Sequence, residues 1–182
     1  MQTCLTRKEK IINQAKIEFA NYLYEEASIN RIIKEISMPR GTFYLCFKNK
    51  EELYLELLNE FKNNFIEFSN KIKEKNDGDI KISLLEIFDH IVNSENKLIK
   101  NVLINFNTTH YIELLPDFND KHIYFDKFNF SKYNFKDEEE KMVFMRLLLT
   151  IMIKNVCLAN NYDGDARRKF EIQLNIILKG IE

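Results

Sequence analysis

Arg40, Thr42 and Tyr44 lie within five consecutive positions, with Gly41 between them, and all three carry side chains suited to recognition by hydrogen bonding. An arginine fork pairs with phosphate or with the edge of a guanine, and a hydroxyl both donates and accepts. A glycine lets a partner approach the backbone closely, because it has no side chain to hold that partner away. These residue types predict contact with an anion or a base edge rather than catalysis.

Basic charge is concentrated around the same segment. Residues 1–50 carry nine Lys or Arg and five Asp or Glu, a net charge of +4, whereas the rest of the chain has a net charge of −5. Lys48 and Lys50 contribute two of these basic groups just after Tyr44. Such asymmetry between parts of a chain is typical of proteins that contact nucleic acid. We therefore expect the first quarter of the chain to bind nucleic acid.

Two short helices are predicted to position these side chains. Isoleucines at helical spacing predict a helix over residues 29–36, with Ser28 as its cap. Pro39 disfavours helix at the preceding residue and suits a first helical turn, which predicts a second helix over residues 39–47. Phe43 and Phe47 face the core together, so the hydrogen-bonding side chains fall outside. Two short helices joined by a tight turn form the helix-turn-helix pattern.

The rest of the chain is also predicted to be helical. Thr6 and Glu9 have the spacing of a capping box, which predicts a helix over residues 6–23. Asn49 and Glu52 give a similar signal for a long helix that ends at the turn of residues 76–79. Further helices are predicted over residues 80–92, 96–109, 137–161 and 166–179, where Gly180 ends the last one, with an irregular aromatic-rich stretch over residues 115–135.

The scarcity of turn residues agrees with this assignment. Four Gly and two Pro are too few for the many turns of an all-β fold. The predicted fold class is therefore all-α. We expect an N-terminal three-helix, helix-turn-helix domain over residues 1–50 and a second helical domain over residues 51–182.

An ordered set of residues between positions 19 and 53 resembles the TetR family of bacterial transcription regulators. That family has a Phe near the end of its first helix, a Tyr, a Thr-Ser pair, an Ile-Ala pair, a Gly-Val-Ser turn, Gly-Thr-aromatic-Tyr, a Phe and Lys-Ser-Lys-Glu-Glu-Leu. The matching residues, in register and without insertion, are Phe19, Tyr24, Ser28-Ile29, Ile32, Gly41-Thr42-Phe43-Tyr44, Phe47 and Lys48-Asn49-Lys50-Glu51-Glu52-Leu53.

The chain departs from the family pattern in the turn. Leu23 stands where the family has Gly, and Ala27 where Thr is common. Ser37-Met38-Pro39 replaces Gly-Val-Ser, so the usual serine cap of the second short helix is missing, and Ser37 is an alternative cap.

The resemblance implies that the second short helix reads the major groove of an operator. Arg40 is the best candidate for a base or backbone contact, Gly41 allows close approach, and Lys48 and Lys50 suit phosphate. The full set of candidate DNA contacts is Ser28, Arg31, Arg40, Gly41, Thr42, Tyr44, Lys48 and Lys50. The alternative is that Tyr44 only packs and the lysines are ordinary solvated charges.

The resemblance further implies that the remaining helices bind a small effector and form a homodimer, as in a ligand-responsive repressor. We expect an apolar or aromatic effector, with Phe88, Phe106, His110, Tyr111, Phe125 and Phe144 as candidate lining residues. The candidate dimer-interface residues are Leu147, Leu148, Ile151, Phe170, Leu174 and Ile177. The alternative for both sets is that these side chains only fill the core.

Nothing in the sequence supports catalysis, a cofactor or a metal site. The three cysteines and three histidines are scattered, without the spacing of metal ligands or of a disulfide framework. The sequence contains no apolar run of about 18 residues and no signal-peptide pattern, so we expect a cytoplasmic protein without a membrane span. Two alternatives stay open: an interaction module that kept the fold without binding DNA, which the altered turn favours, and a helical enzyme.

Overall fold

The computed structural model describes residues 6–93, 126–161 and 164–181. All regular elements in these residues are helices, which confirms the predicted all-α class. They are α1 (Arg7–Asn21), α2 (Ile29–Glu35), α3 (Arg40–Cys46), α4 (Lys50–Lys75), α5 (Ile80–Asn93), α6 (Glu138–Asn161) and α7 (Ala166–Lys179). The helix predicted over residues 96–109 and the first part of the irregular stretch lie outside the described residues.

Local capping accounts for where these helices begin. The N–H of Glu9 donates to Thr6 Oγ1 at 3.2 Å and the N–H of Thr6 donates to Glu9 Oε2 at 2.6 Å, which confirms the predicted capping box of α1. Asn49 Oδ1 accepts from the N–H of Glu52 at 2.8 Å at the start of α4. Gly180 follows α7 as predicted, but with a right-handed φ of −76° rather than the left-handed cap that glycine often supplies.

Residues 6–63 form a first compact unit from α1, α2, α3 and the first part of α4. Helix α1 contacts both α2 and α3. The ring of Tyr54 on α4, which is 1% exposed, lies 4.8 Å from that of Phe19 and 4.9 Å from that of Tyr24, measured between centroids. The end of α1 and the loop after it are thereby anchored on α4.

The second unit contains the remainder of α4 together with α5, α6 and α7. Helix α5 contacts α6 and α7, which also contact each other. The rings of Phe88 on α5 and Phe170 on α7 are fully buried, with centroids 5.1 Å apart. By length and composition alone, Glu138–Ala159 of α6 would suit a membrane span, which the sequence did not predict. A third of its apolar window is buried inside the chain, and the helix contacts α5 and α7.

One buried ammonium joins α4 to Asp126 and Phe128. Lys73 is 1% exposed, and its Nζ donates to Asn70 Oδ1 at 3.0 Å and to the carbonyl of Asp126 at 3.1 Å. The same atom lies 4.8 Å from the ring centroid of Phe128. Burial lowers the pKa of Lys73 to about 8, because removal from water disfavours the charged form.

The turn after α4 requires a glycine. Gly78 has a left-handed φ of +73°, and its N–H donates to the carbonyl of Lys73 at 2.8 Å. A Cβ at this position would lie 2.5 Å from the carbonyl oxygen of Lys127 and 2.7 Å from the nitrogen of Asn129. The N–H of Asn129 donates to the carbonyl of Gly78 at 2.8 Å, so the two backbones are held together at this point.

We expect Gly78→Ala to lower the free energy of unfolding by about 1–3 kcal/mol, because the new methyl group collides with backbone atoms and L residues resist a left-handed φ. Urea denaturation followed by circular dichroism measures the change. Gly164→Ala is the matched control, since no heavy atom lies within 4 Å of a Cβ placed there. Equal stabilities for the two variants would contradict the close approach at residue 78.

Candidate nucleic-acid interface

A buried carboxylate joins α1 to the start of α2. Glu18 is 5% exposed, and its Oε1 accepts from the N–H of Ser28 at 2.7 Å and from Arg31 Nε at 2.8 Å. The Arg31 guanidinium also donates to the carbonyl of Glu26 at 2.6 Å and lies 4.0 Å from the ring centroid of Tyr22. Ser28 occupies the N-cap position of α2, but its hydroxyl makes no capping hydrogen bond, so the predicted side-chain cap is wrong.

The turn between α2 and α3 closes at Ser37, which has a left-handed φ of +51°. The N–H of Ser37 donates to the carbonyl of Lys34 at 3.0 Å, and that of Met38 to the carbonyl of Ile33 at 2.8 Å. These are the two hydrogen bonds of a Schellman motif, whose left-handed residue is usually glycine. Ser37 therefore ends α2 and does not cap α3, contrary to the sequence expectation. The N-cap of α3 is Pro39, without a side-chain hydrogen bond.

Helix α3 turns its two phenylalanines inward. Phe43 is 0% exposed and Phe47, the residue after the helix, is 2% exposed, with ring centroids 5.8 Å apart, as predicted. The packing of this pair fixes which side of α3 faces away from the unit.

The outward side of α3 carries the predicted recognition residues. Arg40, Gly41 and Tyr44 are exposed, and Thr42 is half-buried. The Tyr44 hydroxyl accepts from the Arg40 guanidinium at 3.4 Å, while its ring meets that of Phe43 edge-on at 5.3 Å. The ring of Tyr44 therefore packs on Phe43, while its hydroxyl remains on the surface.

The two predicted phosphate-binding lysines have different surroundings. Lys48 is exposed. The Lys50 Nζ donates to the carbonyls of Tyr24 at 2.6 Å, Ala27 at 3.0 Å and Glu25 at 3.3 Å. Those contacts use all three donors of an ammonium group, which leaves Lys50 no donor for phosphate in this conformation. The phosphate role predicted for the pair accordingly rests on Lys48.

Sequence reasoning did not single out two residues of this region. Glu18 was overlooked, although it falls seven residues after Ile11 and three after Ala15, on the buried face of α1. An acidic residue within the apolar stripe of a helix indicates a buried carboxylate with partners, and this signal was present in the sequence. Leu45 was also overlooked, and it is 81% exposed at the outer surface of α3.

The candidate effector residues that the structure describes lie in the core of the second unit. Phe88 packs on Phe170, and the ring of Phe144, which is 8% exposed, lies 5.2 Å from that of Phe135. The other four candidates lie outside the described residues: Phe106, His110, Tyr111 and Phe125.

A surface groove of about 780 Å³ runs along α5 and α7 and includes neither Phe88 nor Phe144. Arg167 lies in it and is paired with Asp89 at 3.0 Å and with Glu171 at 3.1 Å. The charges at this site therefore neutralise one another within the chain.

The candidate dimer residues divide into buried and exposed groups. Leu148, Phe170 and Leu174 are 0% exposed and belong to the core of the chain itself. Leu147 is 47% exposed, and Ile151 and Ile177 are half-buried. The outer surfaces of α6 and α7 carry further exposed apolar side chains that the sequence reasoning did not select: Val143, Leu158, Ile172 and Ile176.

Comparison with known proteins agrees with this geometry. Residues 11–57, which run from α1 into α4, match the family model described as bacterial regulatory proteins of the tetR family. The helix-turn-helix segment of this chain is of the tetR type. The match supports a role in DNA-binding transcription regulation.

Two relatives are similar to longer parts of this chain. The biofilm operon icaADBC negative transcriptional regulator IcaR of Staphylococcus epidermidis is 29% identical over 142 residues, which cover 68% of this chain and 75% of that regulator. The fatty acid metabolism regulator protein of Bacillus subtilis is 35% identical over 77 residues, or 42% of this chain and 40% of that protein. Both names are those of regulators and not of enzymes.

A solved structure supports the same fold over nearly the whole length. The transcriptional regulator from Cytophaga hutchinsonii matches 94% of this chain and 96% of its own, with a TM-score of 0.60 and 19% identity. The likeness shows that the two chains share a fold beyond the helix-turn-helix segment.

We expect Ser37→Gly to raise the free energy of unfolding by about 0.5–1 kcal/mol, because glycine adopts the left-handed conformation without the cost that a Cβ imposes. Chemical denaturation of the full chain measures the gain.

Ser37→Ala is the control for this substitution. It removes the hydroxyl but keeps the Cβ, so no gain is expected. If Ser37→Ala stabilised the chain as much as Ser37→Gly, the left-handed φ would not be the source of the strain.

Proposed function

We propose that this protein is a repressor that binds a palindromic operator as a homodimer and releases it when a small apolar or aromatic effector binds. The observation that carries the proposal is the outward face of α3. There, Arg40, Gly41 and Tyr44 are exposed beside a basic residue, Lys48, while the phenylalanines hold the helix from behind. The name of IcaR as a negative regulator supports repression.

The proposed DNA contacts separate into two kinds. Arg40, Thr42 and Tyr44 contact base edges or nearby phosphate from α3. Gly41 has no side chain, so the DNA can approach the helix closely there. Lys48 binds phosphate. The remaining candidates act behind that surface: Ser28 and Arg31 through Glu18, and Lys50 through the loop carbonyls. We propose that these three residues position the reading helix and do not select sequence.

Dimerisation through α6 and α7 is supported by the apolar side chains on their outer surfaces. Val143 and Leu147 are 60% and 47% exposed and lie four residues apart on α6. Ile172 and Ile176 are 46% and 68% exposed with the same spacing on α7. Burial of these side chains against a second copy would remove apolar surface from water, and a two-fold pair would match half-sites about 34 Å apart.

We propose that each of the two predicted domains has its own function. Residues 1–50 bind DNA, and residues 51–182 bind effector and form the dimer. Phe88 and Phe144 are the candidates for the effector site among the described residues. A ligand would shift operator affinity only by as much as it prefers one conformation of the chain. A DNA target in a bacterium also implies a cytoplasmic location.

Arg40→Ala and Lys48→Ala separate base reading from phosphate binding. We expect Arg40→Ala to weaken binding to the selected operator by about 1–3 kcal/mol, because a bidentate base contact is lost. Lys48→Ala should make the negative slope of log K against log salt less steep by about 1 per subunit on every duplex, because one phosphate contact is lost. Fluorescence anisotropy over a salt series measures both.

The control is Lys71→Ala, which removes an exposed lysine paired with Glu67 on α4. It should change neither quantity. Unchanged affinity for Arg40→Ala together with an unchanged slope for Lys48→Ala would remove this face of α3 from DNA and leave the interaction-module hypothesis.

Ile176→Glu tests the proposed dimer. A carboxylate on this apolar surface should give monomers at micromolar concentration, and the loss of paired binding should lower operator affinity roughly 100-fold. Sedimentation equilibrium and anisotropy measure the two effects. Ile82→Glu, at an isoleucine that is 54% exposed on α5, is the control and should stay dimeric. A dimeric Ile176→Glu protein would place the interface elsewhere.

A further inference from the structure

Helix α3 presents an apolar side chain to the outside. Leu45 is 81% exposed, a larger fraction than for any other large apolar side chain in the described part of the chain. Burial of a leucine is worth roughly tenfold or more in an equilibrium constant, so a fully presented one forgoes a substantial gain. A polar side chain at this position would be hydrated by water and would forgo no burial energy.

The position of Leu45 on the helix is as informative as its exposure. Successive residues of a helix are rotated by about 100°, so Leu45 lies about 160° around the axis from the buried Phe43. Gly41 is one turn earlier on the same line, with no heavy atom within 4 Å of a Cβ placed there. Leu45 therefore projects from the centre of the outward face, with open space along the helix beside it.

The neighbours of Leu45 suit an anionic partner. Arg40 and Tyr44 lie about 140° and 100° around the helix axis from Leu45, and the Arg40 guanidinium donates to the Tyr44 hydroxyl at 3.4 Å. The exposed Lys48 follows the helix. A leucine on the same helix as these groups cannot pair with phosphate. In the major groove the apolar group that a base pair presents is the C5-methyl of thymine.

We propose that Leu45 packs against a thymine methyl group in each operator half-site and so selects thymine at that position. The proposal rests on the proposed reading of DNA by α3 and adds the chemistry of one base that it reads. Arg40 and Lys48 would fix the register, while Leu45 would distinguish a T·A pair from pairs that lack the methyl group.

Replacement of thymine by deoxyuridine tests this contact, because it removes the methyl group and keeps base pairing. Full-length protein first selects its operator from duplexes with a randomised central region. Each thymine of the selected duplex is then replaced in turn, and affinity is measured by fluorescence anisotropy. We expect one thymine per half-site at which replacement weakens binding roughly three- to tenfold, as for loss of one buried methyl group.

The variants connect that thymine to Leu45. Leu45→Ala should bind the thymine duplex more weakly and bring the thymine-to-uracil affinity ratio close to one. Leu45→Met keeps apolar reach and should retain most of the ratio. Ile82→Ala, at an exposed isoleucine on α5, is the control and should behave as the wild type. Melting temperatures confirm that each variant is folded.

The outcomes separate the inference from the function on which it rests. If the wild type selects a duplex but no thymine is sensitive to replacement, or if Leu45→Ala keeps the wild-type ratio, the thymine contact is overturned and DNA reading stands. If the wild type selects no duplex, both are overturned, and Leu45 belongs to a surface for a protein partner.

Discussion

A carboxylate that is taken out of water must find hydrogen-bond donors, because an unpaired buried charge costs several kcal/mol. Glu18 finds them in the first backbone N–H of the α2 region, that of Ser28, and in the guanidinium of Arg31. Both donors belong to the beginning of α2, so this one requirement fixes where α2 starts against α1. Helix α3 follows α2 after a turn of a few residues, and the direction of its outward face therefore depends on the same contact.

The basic residues of the first unit serve two purposes that net charge cannot separate. Arg31 and Lys50 are occupied within the chain, and Lys8 and Lys16 are paired with Glu56 and Glu60 on α4 at 2.7 and 2.6 Å. Exposed pairs of this kind contribute little to stability and can be rearranged when an anion approaches. Arg40 and Lys48 do not belong to this set of paired residues and lie on the outward surface at α3. Part of the positive charge thus holds the unit together, and the other part lies on the surface that we propose binds DNA.

Local signals made the helical frame predictable from the sequence. The capping box of Thr6, the break at Pro39 and the inward pair Phe43 and Phe47 depend on residues within about one turn of each other, and the structure agrees with all three. The roles of Arg31 and Lys50 were not predictable in this way. Their partners lie 13 and 26 positions away in the chain, and only the folded arrangement brings them together. The left-handed φ of Ser37 was likewise hidden, because its residue type suggested a cap rather than a helix end.

The carbonyl cluster around Lys50 also restricts which replacements this position tolerates. An ammonium sends three donors outward from one atom, and the oxygens of Tyr24, Glu25 and Ala27 converge on that atom. A guanidinium spreads its donors across a plane and cannot meet three oxygens gathered around one point. Arginine would keep the charge and is the better partner for phosphate, yet here it would open the loop that lysine closes. Lys and Arg are therefore not exchangeable at position 50, whereas the exposed position 48 has no such restriction.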